Sequence, residues 1–568
     1  MKQSLEQVLQ DAVNILLKNM TDSSSVHVKL SRPKMKEHGD YACNVAMPLA
    51  GMLNMNPRQV ADKLLTMTAW PDAVEETTIA GPGFINIRLQ KSCEAEVLKK
   101  ILTEAASYGQ LPVDNNAEKV CLEFVSANPT GPMHVGHGRG AVVGDALGRV
   151  LSARGFKVHR EYYINDAGTQ IGVLANSVWL RMCELQGQTI QLPDSAYPGD
   201  YIIDIAKELL KIHDFETVQS WSEEQRLAWL NQESIAANMR MIADDLDIMN
   251  IHFDEYFSEK KLHESGKVQS LIQRLREQGT VYLGTLPAPK GKAIENYQPV
   301  EQWLFRTTDF GDDVDRPLAK KDGTATYFAA DIAYHENKFQ RGFDRMIDIW
   351  GADHGGYVSR VRAAMKALTQ KDDQPDVLLV QMVNLTRDGQ AVKMSKRAGT
   401  FVTLREVVDE VGSDAVRFNF MTRRIESQFD FDLEEAKEKS NENPVYSVQY
   451  AHARIASILR KAKEEGIVLL PVKDVDVSPL VSAEEQALIA NMLAYGDMLT
   501  VAADRLEAYR VATYVMKLAA DFHSFYHKNR VVTEDEALTQ ARLLLASAVK
   551  QVIFNALTLL GVSAPEQM

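Results

Sequence analysis

Cysteine is scarce in this sequence, and its spacing excludes two common ways of stabilising a fold. Only 4 of the 568 residues are Cys, and they lie far apart with no Cys-x-x-Cys pair. Neither a disulfide framework nor a zinc knuckle fits this pattern. We therefore expect a cytoplasmic chain that holds no metal of its own.

Long hydrophobic runs are also missing. No stretch approaches the ~18 apolar residues that a membrane span needs, so we expect no membrane partner. The N-terminal segment has apolar residues at helical spacing between Glu, Gln and Asp, which predicts an amphipathic helix and not a signal peptide. At 568 residues, a chain of this globular composition is expected to hold about three or four domains.

Positive charge does not dominate either, because the formal net charge is −14. This balance argues against a nucleic-acid partner but does not exclude one, since a polyanion responds to the local field of a basic surface. One local basic cluster is formed by Lys29, Arg32, Lys34 and Lys36.

The first informative motif is His134-Val135-Gly136-His137. It follows a strand-like run at 119–125 and a turn, and a helical pattern then continues to Ala153. A helix N-terminus has unpaired N–H groups and a partial positive charge, so it binds phosphate. Gly136 allows the backbone to approach a flat adenine or ribose closely.

The second motif is Lys393-Met394-Ser395-Lys396, in a polar loop after the apolar run 377–383. Two lysines three residues apart can close over the β- and γ-phosphates of a nucleotide as point charges. Either motif alone is typical of a helix cap or a solvated loop. Together, in these settings, they indicate a site for the triphosphate of ATP.

The order of predicted elements gives an α/β fold class with three parts. We expect a Rossmann-like doubly wound parallel sheet with a helical insertion, an N-terminal α+β domain and a C-terminal all-α bundle. The expected segments are 1–110 for the N-terminal domain, 117–400 for the sheet domain, about 167–290 for its insertion, 401–440 for a connecting segment and 441–568 for the bundle. Within the first segment we expect a strand over Ser25–Leu30 and a helix that begins at Pro57.

The two motifs resemble the signature of class I aminoacyl-tRNA synthetases, and segments along nearly the whole chain resemble the arginyl-tRNA synthetase family. These segments are His38–Asn44, Gly81–Asn86, Glu123–Thr130, Tyr163–Gly168, Trp350–His354 and Gln449–Arg454. Two departures are visible. The lysine motif is intact here although the family often degrades it, and Ser447 stands where the family commonly has an aromatic residue.

The resemblance implies ATP-dependent activation of L-arginine and transfer of the arginyl group to the 3′ end of tRNA(Arg), with Mg²⁺ bound to the ATP. It also implies that activation requires cognate tRNA, and we expect a monomer. The implied catalytic residues are His134, His137, Lys393 and Lys396. The other implied ATP-binding residues are Gly136, Asp353, His354, Met382 and Met394. The implied arginine-binding residues are Glu123, Asn128, His134, Tyr327 and Asp331, and the implied tRNA-binding residues are Asn44, Tyr450, Arg454 and Met568.

The chemistry of arginine supports two of these residues independently. A guanidinium is planar, permanently charged and carries five donors, so its pocket needs carboxylates that match the fork. Glu123 and Asp331 are the matching acids. Lysine would leave buried acceptors unpaired in such a pocket, so no editing domain is needed.

Three alternatives belong to other classes. A class I-fold nucleotidylyltransferase shares the histidine motif but does not need an N-terminal module or a helical bundle. Another class I synthetase is the closer alternative. However, a cysteinyl enzyme needs zinc ligands that are missing here, and the enzymes for large aliphatic amino acids need an editing insertion. A non-enzymatic RNA-binding relative is expected to lose motif residues, and this chain keeps all four.

Overall fold

The computed structural model describes residues 2–18, 26–33, 35–90, 92–287, 298–372, 374–392 and 402–568. These residues form an N-terminal α+β unit, a central parallel sheet covered by helices, and a C-terminal helical bundle. The fold class predicted from the sequence is therefore confirmed.

The N-terminal unit packs three helices against a small antiparallel sheet. Its elements are α1 (Lys2–Leu17), β1 (Leu30–Ser31), β2 (Tyr41–Cys43), α2 (Ala46–Leu53), α3 (Pro57–Met67), β3 (Val74–Ala80) and β4 (Phe84–Leu89). The strand order is β1-β2-β4-β3. Helix α3 begins at Pro57, and the side chain of Asn56 accepts a hydrogen bond from Arg58 N, which confirms the predicted start.

The strand predicted over Ser25–Leu30 is wrong for the residues that the structure describes there. Only Leu30 and Ser31 pair with β2, and residues 26–29 form no strand. The backbone N–H groups of Val28 and Leu30 instead donate to the side chains of Gln10 and Glu6 on α1, each at 2.8 Å. A helix side chain thus satisfies the backbone donors that a neighbouring strand would otherwise satisfy.

The middle of the chain alternates strands and helices. Its elements are α4 (Ser92–Glu104), β5 (Lys119–Glu123), α5 (Val135–Ala153), β6 (Lys157–Ile164), α6 (Thr169–Leu185), α7 (Asp200–Leu209), α8 (Phe215–Ser220), α9 (Glu223–Ile248), β7 (Glu255–Ser258), α10 (Glu259–Glu264), α11 (Lys267–Glu277), β8 (Val281–Gly284), β9 (Gln302–Phe305), β10 (Arg316–Lys320), α12 (Tyr327–Gln340), β11 (Arg345–Gly351), α13 (Val358–Thr369) and β12 (Asp376–Val380).

The central sheet has the order β12-β11-β5-β6-β7, and all its pairings are parallel. Strand β5 lies in the middle, where Val120, Cys121 and Leu122 are fully buried, as expected when helices cover both faces of a sheet. Strand β7 comes from the segment that the sequence suggested was a helical insertion. Its four residues are too few to show a strand period.

The last part of the chain leads from a small sheet into the bundle. Its elements are β13 (Val383–Arg387), β14 (Gln390–Ala391), α14 (Leu404–Val411), α15 (Ser413–Phe420), β15 (Phe429–Asp432), α16 (Leu433–Lys437), α17 (Pro444–Glu464), α18 (Ala483–Leu493), α19 (Tyr495–Asp504), α20 (Tyr509–Lys528) and α21 (Glu536–Leu560). Among the described helices, α21 alone has the length and apolar composition to cross a membrane. However, 72% of its most apolar window is buried inside the protein, as in the core helix of a bundle.

The three parts are closely packed against one another. Gly109 lies so near Tyr495 of the bundle that a Cβ at this position would approach the ring to 2.7 Å. Leu111 N donates to Ala153 O at the end of α5. Arg32, from the basic cluster, forms an ion pair with Asp497 at 3.8 Å, so this guanidinium faces the bundle.

Candidate active site

The histidine motif lies at the N-terminus of α5, at the carboxyl edge of the central sheet. His134 is the N-cap, and its Nδ1 accepts a hydrogen bond from Gly136 N at 3.1 Å. His137 Nδ1 accepts in turn from His134 N at 3.3 Å. The two rings stack with centroids 3.7 Å apart. The reciprocal caps hold both imidazoles beside the positive end of the helix.

Gly136 leaves room for the His134 ring beside the helix start. A Cβ at this position would lie 3.0 Å from His134 Cε1 and 3.4 Å from Met382 Cε. A side chain here would press on His134 and Met382, which would have to move by a few tenths of an ångström.

The turn between β5 and α5 contains two residues in the left-handed region, Val125 with φ 67° and Ser126 with φ 40°. Such backbone costs on the order of 1–3 kcal/mol per residue and persists where the surroundings hold it. Ser126 Oγ donates to Glu123 Oε1 at 2.8 Å and accepts from Tyr163 N at 3.1 Å. The turn thus directs Ser126 toward the site.

The histidine cavity is a space of about 570 Å³ beside this motif. All the predicted ATP-binding residues that the structure describes line it: His134, Gly136, His137, Asp353, His354 and Met382. Strand β11 brings Asp353 and His354 there, because its carboxyl end lies next to that of β5 in the parallel sheet.

Lys393, Met394 and Lys396 lie outside the described residues. The described residues on either side of this segment are held by backbone hydrogen bonds. Val392 N donates to Leu385 O at 2.9 Å. On the other side, Thr403 pairs with His134 in an antiparallel bridge, and Leu404 N donates to Met133 O at 2.8 Å. The chain therefore returns directly onto the histidine motif.

The acidic cavity, of about 410 Å³, adjoins the histidine cavity. The two share a wall that includes Ser126, Tyr163, Trp350 and His354. The acidic cavity is lined by the predicted arginine-binding residues Glu123, Tyr327 and Asp331, whereas Asn128 and His134 line the histidine cavity next to it.

Glu259 is a third acid in this cavity, and the sequence did not indicate it. Its carboxylate is buried, and burial raises its pKa. Tyr327, in contrast, is 67% exposed at the start of α12, where it can cover a bound side chain.

A network of buried charges underlies the acidic cavity. Lys338 Nζ donates to Glu123 Oε2 at 2.6 Å and to Asp348 Oδ1 at 2.7 Å. His335 Nε2 lies 2.8 Å from Asp348 Oδ2, and its Nδ1 lies 3.3 Å from Asp331 Oδ1. The network therefore links Glu123 and Asp331 to each other. The linking groups are the cations Lys338 and His335, with Asp348 between them.

The pKa directions follow from burial and from these partners. Burial raises the pKa of the Glu123 carboxyl despite the opposing Lys338 ammonium. Burial alone would also raise the pKa of the Asp348 carboxyl, but the neighbouring Lys338 and His335 hold this pKa well below the usual range. For His335 burial disfavours the charge, yet the Asp348 carboxylate raises the pKa to about 10. His335 is therefore an imidazolium at neutral pH.

His335, Lys338 and Asp348 belong to no motif that the sequence indicated. A signal was present, because Asp331, His335 and Lys338 follow one another at i, i+4 and i+7 on one helix. This spacing places the three polar side chains on one helix face. Without the tertiary structure, however, it does not show what that face contacts.

None of the predicted tRNA-binding residues lines either cavity. Asn44 is exposed after β2. Tyr450 and Arg454 are one turn apart on α17, and the Arg454 guanidinium lies 4.6 Å from the Tyr450 ring centre and 4.8 Å from that of Tyr526. The C-terminal Met568 is 55% exposed. Tyr450 is half-buried in this aromatic group and is not a core residue.

The C-terminal tail is bonded to α17. Gln449 Nε2 donates to Ser563 O at 3.0 Å, and His452 Nδ1 lies 2.9 Å from Pro565 O. His523 Nε2 lies 3.1 Å from Ser447 O, so the backbone of this position contributes to the packing of α20.

The parallel sheet and the histidine pair at its carboxyl edge define the catalytic domain of a class I aminoacyl-tRNA synthetase. The family model described as "tRNA synthetases class I (R), catalytic domain" matches residues 97–426. "Arginyl tRNA synthetase N terminal domain" matches residues 1–89, and "DALR anticodon binding domain" matches residues 448–568. The chain belongs to the arginyl-tRNA synthetase family, as the sequence motifs predicted.

Similar proteins extend over the full length. The chain is 48% identical to the arginine–tRNA ligase of Magnetococcus marinus, with 100% of both chains covered. It is 46% identical to that of Azorhizobium caulinodans, with 99% of this chain and 98% of the relative covered. The Thermus thermophilus arginyl-tRNA synthetase structure superposes with a TM-score of 0.74 over 100% of each chain, at 23% identity, and supports the fold.

Proposed function

We propose that this chain activates L-arginine with ATP and transfers the arginyl group to the 3′-terminal ribose of tRNA(Arg). The observation that carries this proposal is the shared wall between the acidic cavity and the histidine cavity. An amino acid held by its side chain in the first can place its carboxylate beside a nucleotide held in the second.

On the arginine side, Glu123 and Asp331 accept the guanidinium N–H groups and Tyr327 covers the side chain. Asn128 and His134 lie toward the histidine cavity and hold the α-amino and carboxylate end. A lysine ammonium donates to fewer acceptors in such a pocket. The acids that it leaves unpaired make lysine a poor substrate.

On the ATP side, Gly136, Asp353, His354 and Met382 hold the adenosine, and His134 and His137 face the phosphates. Because Nδ1 of each ring accepts a backbone hydrogen bond, Nε2 is the donor nitrogen. Lys393, Met394 and Lys396 complete the ATP site in this proposal. Mg²⁺ enters with ATP as part of the substrate, and we assign none of the described residues to it.

The chemistry proceeds in two steps. The arginine carboxylate attacks the α-phosphorus of ATP, and pyrophosphate leaves. A ribose hydroxyl of the terminal tRNA nucleotide then attacks the arginyl carbonyl, and AMP leaves. A carboxylate nucleophile needs no general base, so catalysis consists mainly of positioning and of stabilising charge on the phosphates by the histidines and lysines.

The outer parts of the chain bind the tRNA in this proposal. The segment 1–110, with Asn44, contacts the corner of the tRNA, and the bundle at 441–568 contacts the anticodon through Tyr450, Arg454 and Met568. An arginine stacked on tyrosines suits unpaired bases, which stack on aromatic rings and accept hydrogen bonds. We further propose that the catalytic unit spans 117–400, that 401–440 connects it to the bundle, and that the protein acts as a cytoplasmic monomer.

ATP–pyrophosphate exchange with each amino acid, with and without tRNA, tests this function. We expect exchange with arginine alone among the amino acids, and only when cognate tRNA is present. Exchange supported by another amino acid would refute the assignment of arginine as the substrate. Exchange with arginine in the absence of tRNA would refute the tRNA requirement and leave the substrate assignment intact.

A further inference from the structure

Three acids lie side by side near the carboxyl ends of the central strands. In the register of the parallel sheet, Glu123 of β5 is paired with Asp348 of β11 on one side and with Glu161 of β6 on the other. All three side chains are buried. Like charges on directly neighbouring strand positions repel, so this acid row needs cations near it.

Helix α12 supplies the cations from one face and its C-terminal end. His335, Lys338 and Arg341 follow at three-residue spacing, and each contacts the row. His335 bonds to Asp348, Lys338 to both Asp348 and Glu123, and Arg341 Nη2 donates to Glu161 Oε1 at 2.8 Å. The acid row and this cation row neutralise each other.

Lys338 also fixes the orientation of the Glu123 carboxylate. Oε2 accepts from Lys338 Nζ and Oε1 accepts from Ser126 Oγ, so each oxygen holds one donor. A carboxylate oxygen has two acceptor sites, which leaves one on each oxygen for a ligand in the acidic cavity. Two parallel acceptors in a fixed plane match the fork of a guanidinium.

His335 contacts Asp331 as Lys338 contacts Glu123. Its Nδ1 lies 3.3 Å from Asp331 Oδ1 and 2.8 Å from the Asp331 carbonyl oxygen, one helical turn away. Its Nε2 is held by Asp348. Glu123 and Asp331 are thus both connected to Asp348, each through one buried cation.

We propose that Lys338 and His335 are positioning residues for amino-acid recognition, which hold Glu123 and Asp331 in the orientation that receives the guanidinium. This inference rests on the proposed function. In the bound state the charges alternate around a closed ring of six groups, with the arginine guanidinium as the sixth member between Asp331 and Glu123. The protein supplies five of these groups, with a net charge of −1, and the substrate neutralises it.

The alternative is that α12 merely neutralises buried acids. Arg341 separates the two explanations, because it is a cation of the same row and its partner Glu161 does not line the acidic cavity. Removing Lys338 leaves Glu123 without its cation, and removing Arg341 leaves Glu161 with His159 alone among the described cations, at 3.5 Å. Either change weakens the compensation of a buried acid and destabilises the fold. Only the loss of Lys338 releases a carboxylate that faces the arginine.

The experiment compares Lys338→Met, Arg341→Met, Glu123→Gln and the Lys338→Met/Glu123→Gln double variant in tRNA-dependent pyrophosphate exchange. For Lys338→Met we expect the arginine KM to rise by about 10- to 100-fold, the scale that misplacing a binding group produces. The ATP KM and kcat at saturating arginine stay within about threefold. Arg341→Met keeps a near-normal arginine KM.

The double variant measures whether Lys338 acts through Glu123. If it does, the arginine KM of the double variant equals that of Glu123→Gln alone, because the positioned carboxylate is already gone. Effects that multiply, or an equal rise in Arg341→Met, would overturn the inference. If Glu123→Gln itself leaves arginine kinetics unchanged, the proposed pocket is wrong instead, so the two failures are distinguishable.

A charge-balanced variant provides for the case in which Lys338→Met does not fold. Lys338→Met/Asp348→Asn removes one cation and one acid together, so the buried net charge is unchanged. Glu123 still loses its Lys338 bond in this variant, and we expect the same rise in arginine KM. A folded double variant with normal arginine KM would overturn the inference.

Discussion

Asp331→Asn tests the arginine pocket most directly. Asparagine has nearly the same size, and its carbonyl oxygen can still accept from His335, so the substitution mainly removes one negative charge. The Asp331 side chain is 27% exposed, and its side of the acidic cavity is therefore only partly screened. Loss of a hydrogen bond to a charged group in such a setting costs about 2–3 kcal/mol. This corresponds to roughly a 10²-fold decrease in kcat/KM for arginine.

The assay is pyrophosphate exchange at varied arginine, with cognate tRNA and saturating ATP. Glu336→Gln is the matched control, because Glu336 lies on the same helix in an ion pair with Arg274 but does not line the acidic cavity. We expect the control to keep its arginine KM and both variants to keep their ATP KM. An Asp331→Asn enzyme with unchanged arginine kcat/KM would refute the assignment of this acid to the guanidinium.

Three further predictions concern the phosphates, the tRNA and pH. His134→Ala or His137→Ala should reduce kcat by ~10²–10³ with a smaller effect on the ATP KM, since these groups matter most when charge shifts at phosphorus. Steady-state kinetics that show a higher ATP KM and an unchanged kcat would contradict this prediction. Arg454→Ala should weaken cognate tRNA binding by ~1–3 kcal/mol and leave the arginine KM unchanged, as measured by filter binding and kinetics; a large loss of thermal stability instead would indicate a packing role. His335 has a pKa of about 10, above its unfolded value, so its ionic contribution to stability is full below about pH 6.5 and is lost as pH rises through 10. The difference in denaturation midpoint between wild type and His335→Gln should therefore shrink between pH 7 and pH 10.5, and a constant difference would show that the charge of His335 does not contribute.

Much of the fold follows from short-range patterns. The start of α3 depends on Asn56 and Pro57, which are adjacent in sequence, and the prediction there is confirmed. The strand expected over Ser25–Leu30 failed because Gln10 and Glu6 of a distant helix accept its backbone hydrogen bonds. Strand β7 was not predicted because its four residues show no strand pattern in the sequence. They form a strand through their parallel pairing with β6.

The sequence by itself determined the family, the fold class and the histidine motif at a helix start. These features depend on residues close together in the chain, where capping, turn chemistry and periodicity act. Only the tertiary structure decided that Glu123 lies opposite Asp348 and that Lys338 lies between them. Register between strands far apart in sequence sets these contacts, and a carboxylate acquires its charge state and orientation from partners that local sequence cannot identify.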